Sequence, residues 1–411
     1  MKVLHLIGGS LLDGASKGAL LLHNELIRRG VNSIVLCTDL SAAPANNVYS
    51  IHRHRRGQAL DRLLLRLDSF PAKIYPRRKR ILFSTGWFGY DITKLWAYEN
   101  CDLVHLHWVN KGFVSYQGLS KVTKPLVWTL RDMWPMTGGC HHSLECTKFR
   151  QRCGACPQLN SSSPFDLSTL VFKLKQNVLP KNTAIVGISH WITDQAQTSA
   201  LMSSLHCQTI MNSVDTDLFR PVDKLQARVD LRIKSTKKIL LIGATAPTDS
   251  DKGFDHFLSA LGHLDAAKYH ICAFGHLPNN ALEGLGFSCQ RFGYIMEPKT
   301  LRTLYAAADV FVAPSIAESF GKTLAEAHAC GTPVVCFDAT GPRDIVDHRI
   351  TGYRAVPYDA SDLAYGIDWI AKLSDDEYAQ LCLNARERAC RHFSTAVIAD
   401  RYIELYRSLV S

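Results

Sequence analysis

Short apolar runs alternate along the chain with longer stretches whose apolar residues recur at helical spacing, a pattern that predicts an α/β chain with doubly wound parallel sheets. Lys2–Ile7 reads as a buried strand and the following glycine pair as its turn. Residues 14–19 read as a loop, 19–30 as a helix closed by its last glycine, and Asn32–Cys37 as the second strand. Further strands are expected over 101–108, 124–130, 184–188, 238–243 and 269–274, with another ending at 311–313. Helices are expected at Phe254–Leu261 and over 300–307, 320–330 and 394–409. His105 and His107 stand two apart on one strand, hence on one face. Hydrogen bonding at a strand end is favoured for them over metal ligation.

At 411 residues the chain is long enough for two domains, each with its own core. No apolar run reaches the roughly 18 residues of a membrane span, and the N-terminal apolar stretch is too short for a signal peptide, so a cytosolic protein is expected. The net charge of +10 is uneven. Residues 51–80 hold ten basic side chains (Arg53, Arg55, Arg56, Arg62, Arg66, Lys73, Arg77, Arg78, Lys79, Arg80) against Asp61 and Asp68. Leu60, Leu63, Leu64 and Leu67 give this segment a short amphipathic helix, and attachment to the inner, anionic membrane surface is the favoured reading. Nucleic-acid binding is disfavoured, because no stacking aromatics or recognition helix accompany the charge.

The stretch 311–333 carries the clearest chemistry. A buried strand ends at Ala313, and a loop leads through Gly321 into a helix N-terminus, where unpaired N–H groups and the helix dipole favour a phosphate. Glu318 and Glu326 are separated by eight positions, about 12 Å along a mostly helical path. Too far apart to share a proton, they suit the two hydroxylated ends of a ligand with an anionic middle. Gly321-Lys322-Thr323 imitates a P-loop terminus but lacks the glycine that motif needs where Ile316 stands.

Cys140, Cys146, Cys153 and Cys156 are spaced C-x5-C-x6-C-x2-C within seventeen residues. The expected account is a closed structural zinc site, with disulfides or free thiols as rivals and His141 or His142 as substitute ligands.

Glu318-Ser-Phe-Gly-Lys-Thr-Leu-Ala-Glu326, the run to Val335 and Gly352 together resemble the E-x7-E signature of retaining glycosyltransferases of family 4, which have the GT-B fold. The resemblance covers nearly the whole chain. It implies two Rossmann-like domains facing across a cleft: an acceptor-binding domain over 1–220 with the cysteine loop 140–156, a nucleotide-sugar domain over 221–392, and a helix over 393–411 crossing back. The cysteine loop further resembles that of colanic-acid and exopolysaccharide glycosyltransferases.

By this resemblance the donor is expected to contact Gly243, Lys252, Gly253, Gly275, Phe320, Gly321, Lys322, Thr323 and Glu326, with Glu318 on the transferred sugar and Glu326 on the ribose. Gly14, Lys17 and His107 fall on the acceptor side. Arg131-Asp132 occupies the place of the family's His-Asp, and arginine is no general base at neutral pH; it suits a phosphate or carboxylate. The family's second phosphate-binding arginine, usually between Gly243 and Lys252, is absent. Asp215-Thr216-Asp217 and Asp249-Ser250-Asp251 are discounted as metal motifs, so no catalytic cofactor is expected.

The expected activity is retaining, metal-independent transfer of a hexosyl unit from a UDP- or GDP-sugar to a hydroxyl of a polysaccharide repeat unit or lipid-linked oligosaccharide. The rivals are a phosphorylase or hydrolase on the same fold and a non-catalytic sugar-nucleotide scaffold or sensor.

Overall fold

The computed structural model describes residues 1–38, 46–52, 57–79, 81–176, 178–244, 250–277 and 281–411. Arg53, Arg55, Arg56, Arg80 and Asp249 therefore lie outside the described residues. The chain divides into two compact units, Met1–Met211 with Ile398–Ser411, and Asn212–Val397. The first boundary lies at 211/212 where 220/221 was expected, and the returning segment starts at 398, part-way along the last helix.

In unit 1, seven parallel strands form one sheet: β1 (Lys2–Ile7), β2 (Asn32–Cys37), β3 (Val48–Ser50), β4 (Leu103–Leu106), β5 (Leu126–Leu130), β6 (Thr183–Gly187) and β7 (His206–Thr209), in the order β3-β2-β1-β4-β5-β6-β7. Helices α1 (Gly14–Arg28), α2 (Gly57–Lys73), α3 (Tyr116–Leu119), α4 (Leu167–Lys175) and α5 (His190–Thr198) connect them. Strands β1, β4, β5 and β6 are buried almost throughout, as the apolar runs require of a sheet covered on both faces.

Unit 2 opens with α6 (Lys224–Asp230) and repeats the design with β8 (Lys238–Ala244), α7 (Phe254–Leu261), β9 (Tyr269–Gly275), β10 (Ser288–Gly293), α8 (Pro298–Ala307), β11 (Val310–Ala313), α9 (Lys322–Ala329), β12 (Val334–Phe337), β13 (Gly352–Ala355), α10 (Ala360–Ala371) and α11 (Asp375–Phe393). The strand order is β10-β9-β8-β11-β12-β13, again all parallel. Its core joins Leu240, Ile271, Val312 and Phe337 of the sheet to Phe257 and Ile367 of α7 and α10. The last helix, α12 (Thr395–Val410), buries Tyr402 and Tyr406 within unit 1.

Each sheet reverses its strand order once, between β1 and β4 and between β8 and β11. A crevice opens outside the carboxyl ends of the strands at such a reversal, and open α/β sheets take their ligands there. No helix among the described residues is long and apolar enough to cross a membrane.

One expected loop is corrected. Residues 14–19 form the first turns of α1, with the Lys17 N–H donating to the Asp13 carbonyl, so Gly14 and Lys17 are exposed helical positions and no glycine turn exists there. The helix expected over 320–330 begins only at Lys322, because Gly321 is left-handed.

Candidate functional site

At the strand reversal of unit 2, the loops after β8 and β11 lean on each other. Gly253 has φ +65°, and a Cβ there would stand 1.8 Å from the Pro314 carbonyl oxygen, so only glycine permits the approach. The Asp251 carbonyl accepts N–H bonds from Ile316 (2.8 Å) and Ala317 (3.2 Å), completing the junction. It sets the Lys252 ammonium 3.1 Å from the Glu318 carboxylate. Glu318 is fixed from the other side as well, its carbonyl accepting the Gly341 N–H at 2.8 Å.

Gly321, at φ +105°, turns the chain into α9 and leaves the first-turn amides of Lys322 and Thr323 at the helix N-terminus. Glu326, one turn on, is 5% exposed. The Tyr305 hydroxyl donates to it at 3.2 Å, and Lys322 pairs with it at 3.6 Å. Burial, reinforced by the Glu326 charge, pushes the Tyr305 phenol well up, so it stays a neutral donor. Each glutamate of the pair thus has its own lysine beside the same helix N-terminus. Gly243 and Gly275 lie at or next to the carboxyl ends of the adjacent strands β8 and β9. The Phe320 ring is buried edge-on against Phe393, 5.7 Å between centroids, where it anchors the loop.

In unit 1 the corresponding reversal gathers His5 of β1 with His105 and His107 of β4 and beyond. Their nitrogens approach within 4.8 Å of one another. His105 shares hydrogen bonds with the Tyr406 hydroxyl (2.6 Å) and the Thr129 hydroxyl (2.7 Å), and His5 Nδ1 lies 3.0 Å from His107 Nε2. The Arg131 guanidinium stands 3.4 Å from His107 Nδ1, where it would repel a bound cation. Burial drives all three imidazoles well below their ordinary pKa of 6.5, keeping them neutral.

Asp132 is the hub of this end. It is buried and accepts from the Trp108 indole N–H (2.7 Å), the Trp134 backbone N–H (2.9 Å) and His141 Nδ1 (2.6 Å). Burial works to raise its pKa, but the charge and hydrogen bond of His141, with the Trp134 N–H, hold it below the ordinary carboxylate range. An open concavity beside it is lined by Gly9, Ser10, Asn110 and Lys111, with Asp61 and Arg62 of α2. Gly14 and Lys17 are not among its lining residues.

Of these groups, Trp108, Asn110 and Tyr305 were not read from sequence as site residues, and His141 was read only as a substitute zinc ligand. The signals available were thin: Trp108 ends an expected strand and Asn110 follows it, whereas Tyr305 sits in the last turn of a helix with nothing to mark it. Asp215, the first acid of one discounted motif, accepts the Asp217 (3.1 Å) and Leu218 (2.9 Å) backbone N–H groups and caps a turn.

The four clustered cysteines all line one cavity with Gly138, Lys148 and Phe149, and none is in a disulfide. Cys153 and Cys156 are buried; Cys140 and Cys146 are partly exposed.

Residues 12–218 match the profile of Glycosyltransferase Family 4, and residues 223–388 that of Glycosyl transferases group 1. The D-inositol 3-phosphate glycosyltransferase of Segniliparus rotundus is 32% identical over 152 residues, covering 34% of this chain and 33% of its own length. That of Mycobacterium tuberculosis is 29% identical over 209 residues, 48% and 42% of the two chains. The matched part of this chain thus spans about half or less of these relatives. Among solved structures, a glycosyltransferase from Rickettsia africae superposes with TM-score 0.70 at 16% identity, covering 100% of this chain and 98% of its own. Anabaena Alr3699/HepE in complex with UDP and glucose superposes with TM-score 0.67 at 17% identity, covering 99% and 100%. These likenesses establish the GT-B fold, and with one profile spanning half the chain and the other most of the remainder, the protein belongs to glycosyltransferase family 4.

Proposed function

We propose that this protein is a retaining glycosyltransferase that moves a hexosyl unit from a UDP- or GDP-sugar to a hydroxyl of a polysaccharide repeat unit or lipid-linked oligosaccharide. One observation carries the reading: at the strand reversal of unit 2, Lys252–Glu318 and Lys322–Glu326 flank one helix N-terminus. On donor binding, the two ammonium groups and the first-turn amides of α9 take the diphosphate, whose charge grows as the glycosidic bond breaks. No divalent ion is needed to carry that charge. Glu318, released from Lys252, accepts hydroxyls of the sugar, and Glu326, steadied by Tyr305, accepts those of the ribose. Phe320 supports this loop from beneath. Gly243, Gly253 and Gly275 let backbone approach the nucleotide.

Acceptor recognition is assigned to unit 1. Arg131, beside His107, supplies a fixed cation where the family's histidine would stand, which favours an acceptor bearing phosphate or carboxylate. Two relatives are D-inositol 3-phosphate glycosyltransferases, and inositol 3-phosphate is of that class. Asp132 is held in place to orient the acceptor hydroxyl. Helix α2 docks the protein on an anionic bilayer, where lipid-linked acceptors reside.

The test is a thermal-shift screen of the full chain against UDP-, GDP- and ADP-sugars. A true donor at a hundredfold its dissociation constant should stabilise by about 2.7 kcal/mol. Glu326→Ala should remove that shift; a shift surviving in the variant, or no shift with any sugar nucleotide, overturns the proposal. Binding without turnover on any acceptor, phosphate or water would favour a sensor.

A further inference from the structure

The loop from Thr137 to Gln158 is twenty-two residues long and has little regular structure of its own, only a single 3-10 turn at Lys148–Arg150. Loops of that length inside a compact domain need something to hold them. Four thiols converge on one cavity whose lining contains no carboxylate and no imidazole. The C-x2-C end of the loop is fixed to the start of α4: the Cys156 N–H donates to Asp166 Oδ2 at 2.8 Å, and the Cys153 carbonyl accepts the Thr169 hydroxyl at 3.0 Å.

Of the nearby cations, Lys175, buried on α4, is taken up elsewhere, its Nζ lying 4.1 Å from the centroid of the Trp134 ring and donating to the Trp134 carbonyl. Lys148, on the cavity wall, donates to the carbonyls of Gly154 (3.1 Å) and Ala155 (2.7 Å). One divalent ion with four thiolates carries a net charge of minus two, and Lys148 on the wall offsets part of it. Soft thiolates in a tetrahedral set select zinc.

The loop is also wired to Asp132. Cys140 immediately precedes His141, whose Nδ1 bonds Asp132 at 2.6 Å and whose Nε2 lies 3.0 Å from the Ser84 hydroxyl. The His141 carbonyl accepts the Met133 N–H at 2.9 Å. We infer that Cys140, Cys146, Cys153 and Cys156 bind one zinc ion as a closed structural site, and that its role is to hold His141 against Asp132. Among the described residues the group whose ligand atoms already lie within 4.8 Å of one another is the imidazole trio, so the four thiols would have to close on the ion as it binds. With no open coordination position the ion takes no part in the transfer.

The full chain, purified under reducing conditions without chelator, should hold about one zinc per molecule by elemental analysis. Cobalt substitution should give the intense visible absorption of a tetrahedral thiolate site. Cys146→Ser should lower zinc content several-fold, and Cys146→His should restore it, since a three-thiolate, one-imidazole set also holds zinc. Cys289→Ser, at an exposed cysteine outside the loop, should change nothing. For the positional role, removing the metal should move the imidazole NMR signal of His141 while that of His328, buried in unit 2, stays in place. A folded chain without zinc after purification in metal-supplemented medium, or zinc content unaffected by Cys146→Ser, overturns the site. A His141 signal indifferent to metal removal overturns its role. All these readouts are independent of sugar-nucleotide binding in unit 2.

Discussion

Glu318 and Glu326 were legible as a spaced pair, with Lys322 only four residues from Glu326, but the pairing of Glu318 with Lys252 was not, since sixty-six residues separate them. What joins them is Gly253, the only residue type that fits between its own backbone and the Pro314 carbonyl. Gly253→Ala should therefore cost at least about 1–3 kcal/mol from the left-handed backbone alone, before the clash is relieved. Denaturant melts and donor affinity should both fall; an unchanged midpoint would show that the junction is looser than its geometry. The pairing of Asp132 with His141 has the same character. The histidine was read in sequence only as a substitute zinc ligand beside Cys140, and its partner nine residues away became apparent once the loop folded back.

Among the elements, α2 departs most from ordinary packing. Its inward face carries Asp61, Leu64, Asp68 and Ala72, with Asp68 accepting from the Thr85 hydroxyl and the Gly86 N–H. Leu60, Leu63, Leu67 and Phe70, with Ile74 just beyond the helix, form an exposed apolar stripe, Phe70 at 61% and Ile74 at 69%. Arg62, Arg66 and Lys73 border it. An amphipathic helix normally turns such a stripe to the core; here the face bearing Asp61 and Asp68 is the one packed and the apolar stripe is left outside, the orientation expected of a helix that lies in a headgroup layer. The chain should sediment with vesicles containing anionic lipid and not with zwitterionic ones. Leu63→Ser with Phe70→Ser should weaken that binding by about tenfold or more, at roughly 0.8 kcal/mol per buried methylene lost. Equal binding to both vesicle types would refute the docking. The amphipathic pattern was readable from sequence, but which side faces outward was not, because both faces carry apolar and polar residues.

For the molecule as a whole, stability should be sensitive to acid. His5, His105 and His107 of unit 1 and His328 of unit 2 are buried, and burial depresses every one of their pKa values, that of His328 to about 3. The unfolded chain, with histidines near 6.5, therefore takes up protons first as pH falls. The histidine contribution is intact above pH 6.5 and is lost progressively below it, by about 1.4 kcal/mol per pH unit for each imidazole, or about 4 for the three of unit 1. Melting midpoints measured at pH 7.5, 6.5 and 5.5 should slip slightly between the first two and drop more steeply at the third; a flat series would mean these rings are not buried neutral.

The alternation of elements, the parallel sheets and the loop-to-helix stretch at Glu318 and Glu326 were readable along the chain, because burial on a strand or helix imprints its period locally and a motif of nine residues is contiguous. The start of α1 at Gly14 was misplaced, since helix onset there rests on Asp13 and on no strong cap. Strand order, and with it everything that meets at the two reversals, depended on the folded chain. Lys252 with Glu318, Tyr305 with Glu326, and Arg131 with His107 are all separated by twenty or more residues, and only the closure of those loops in space decides which side chains become neighbours.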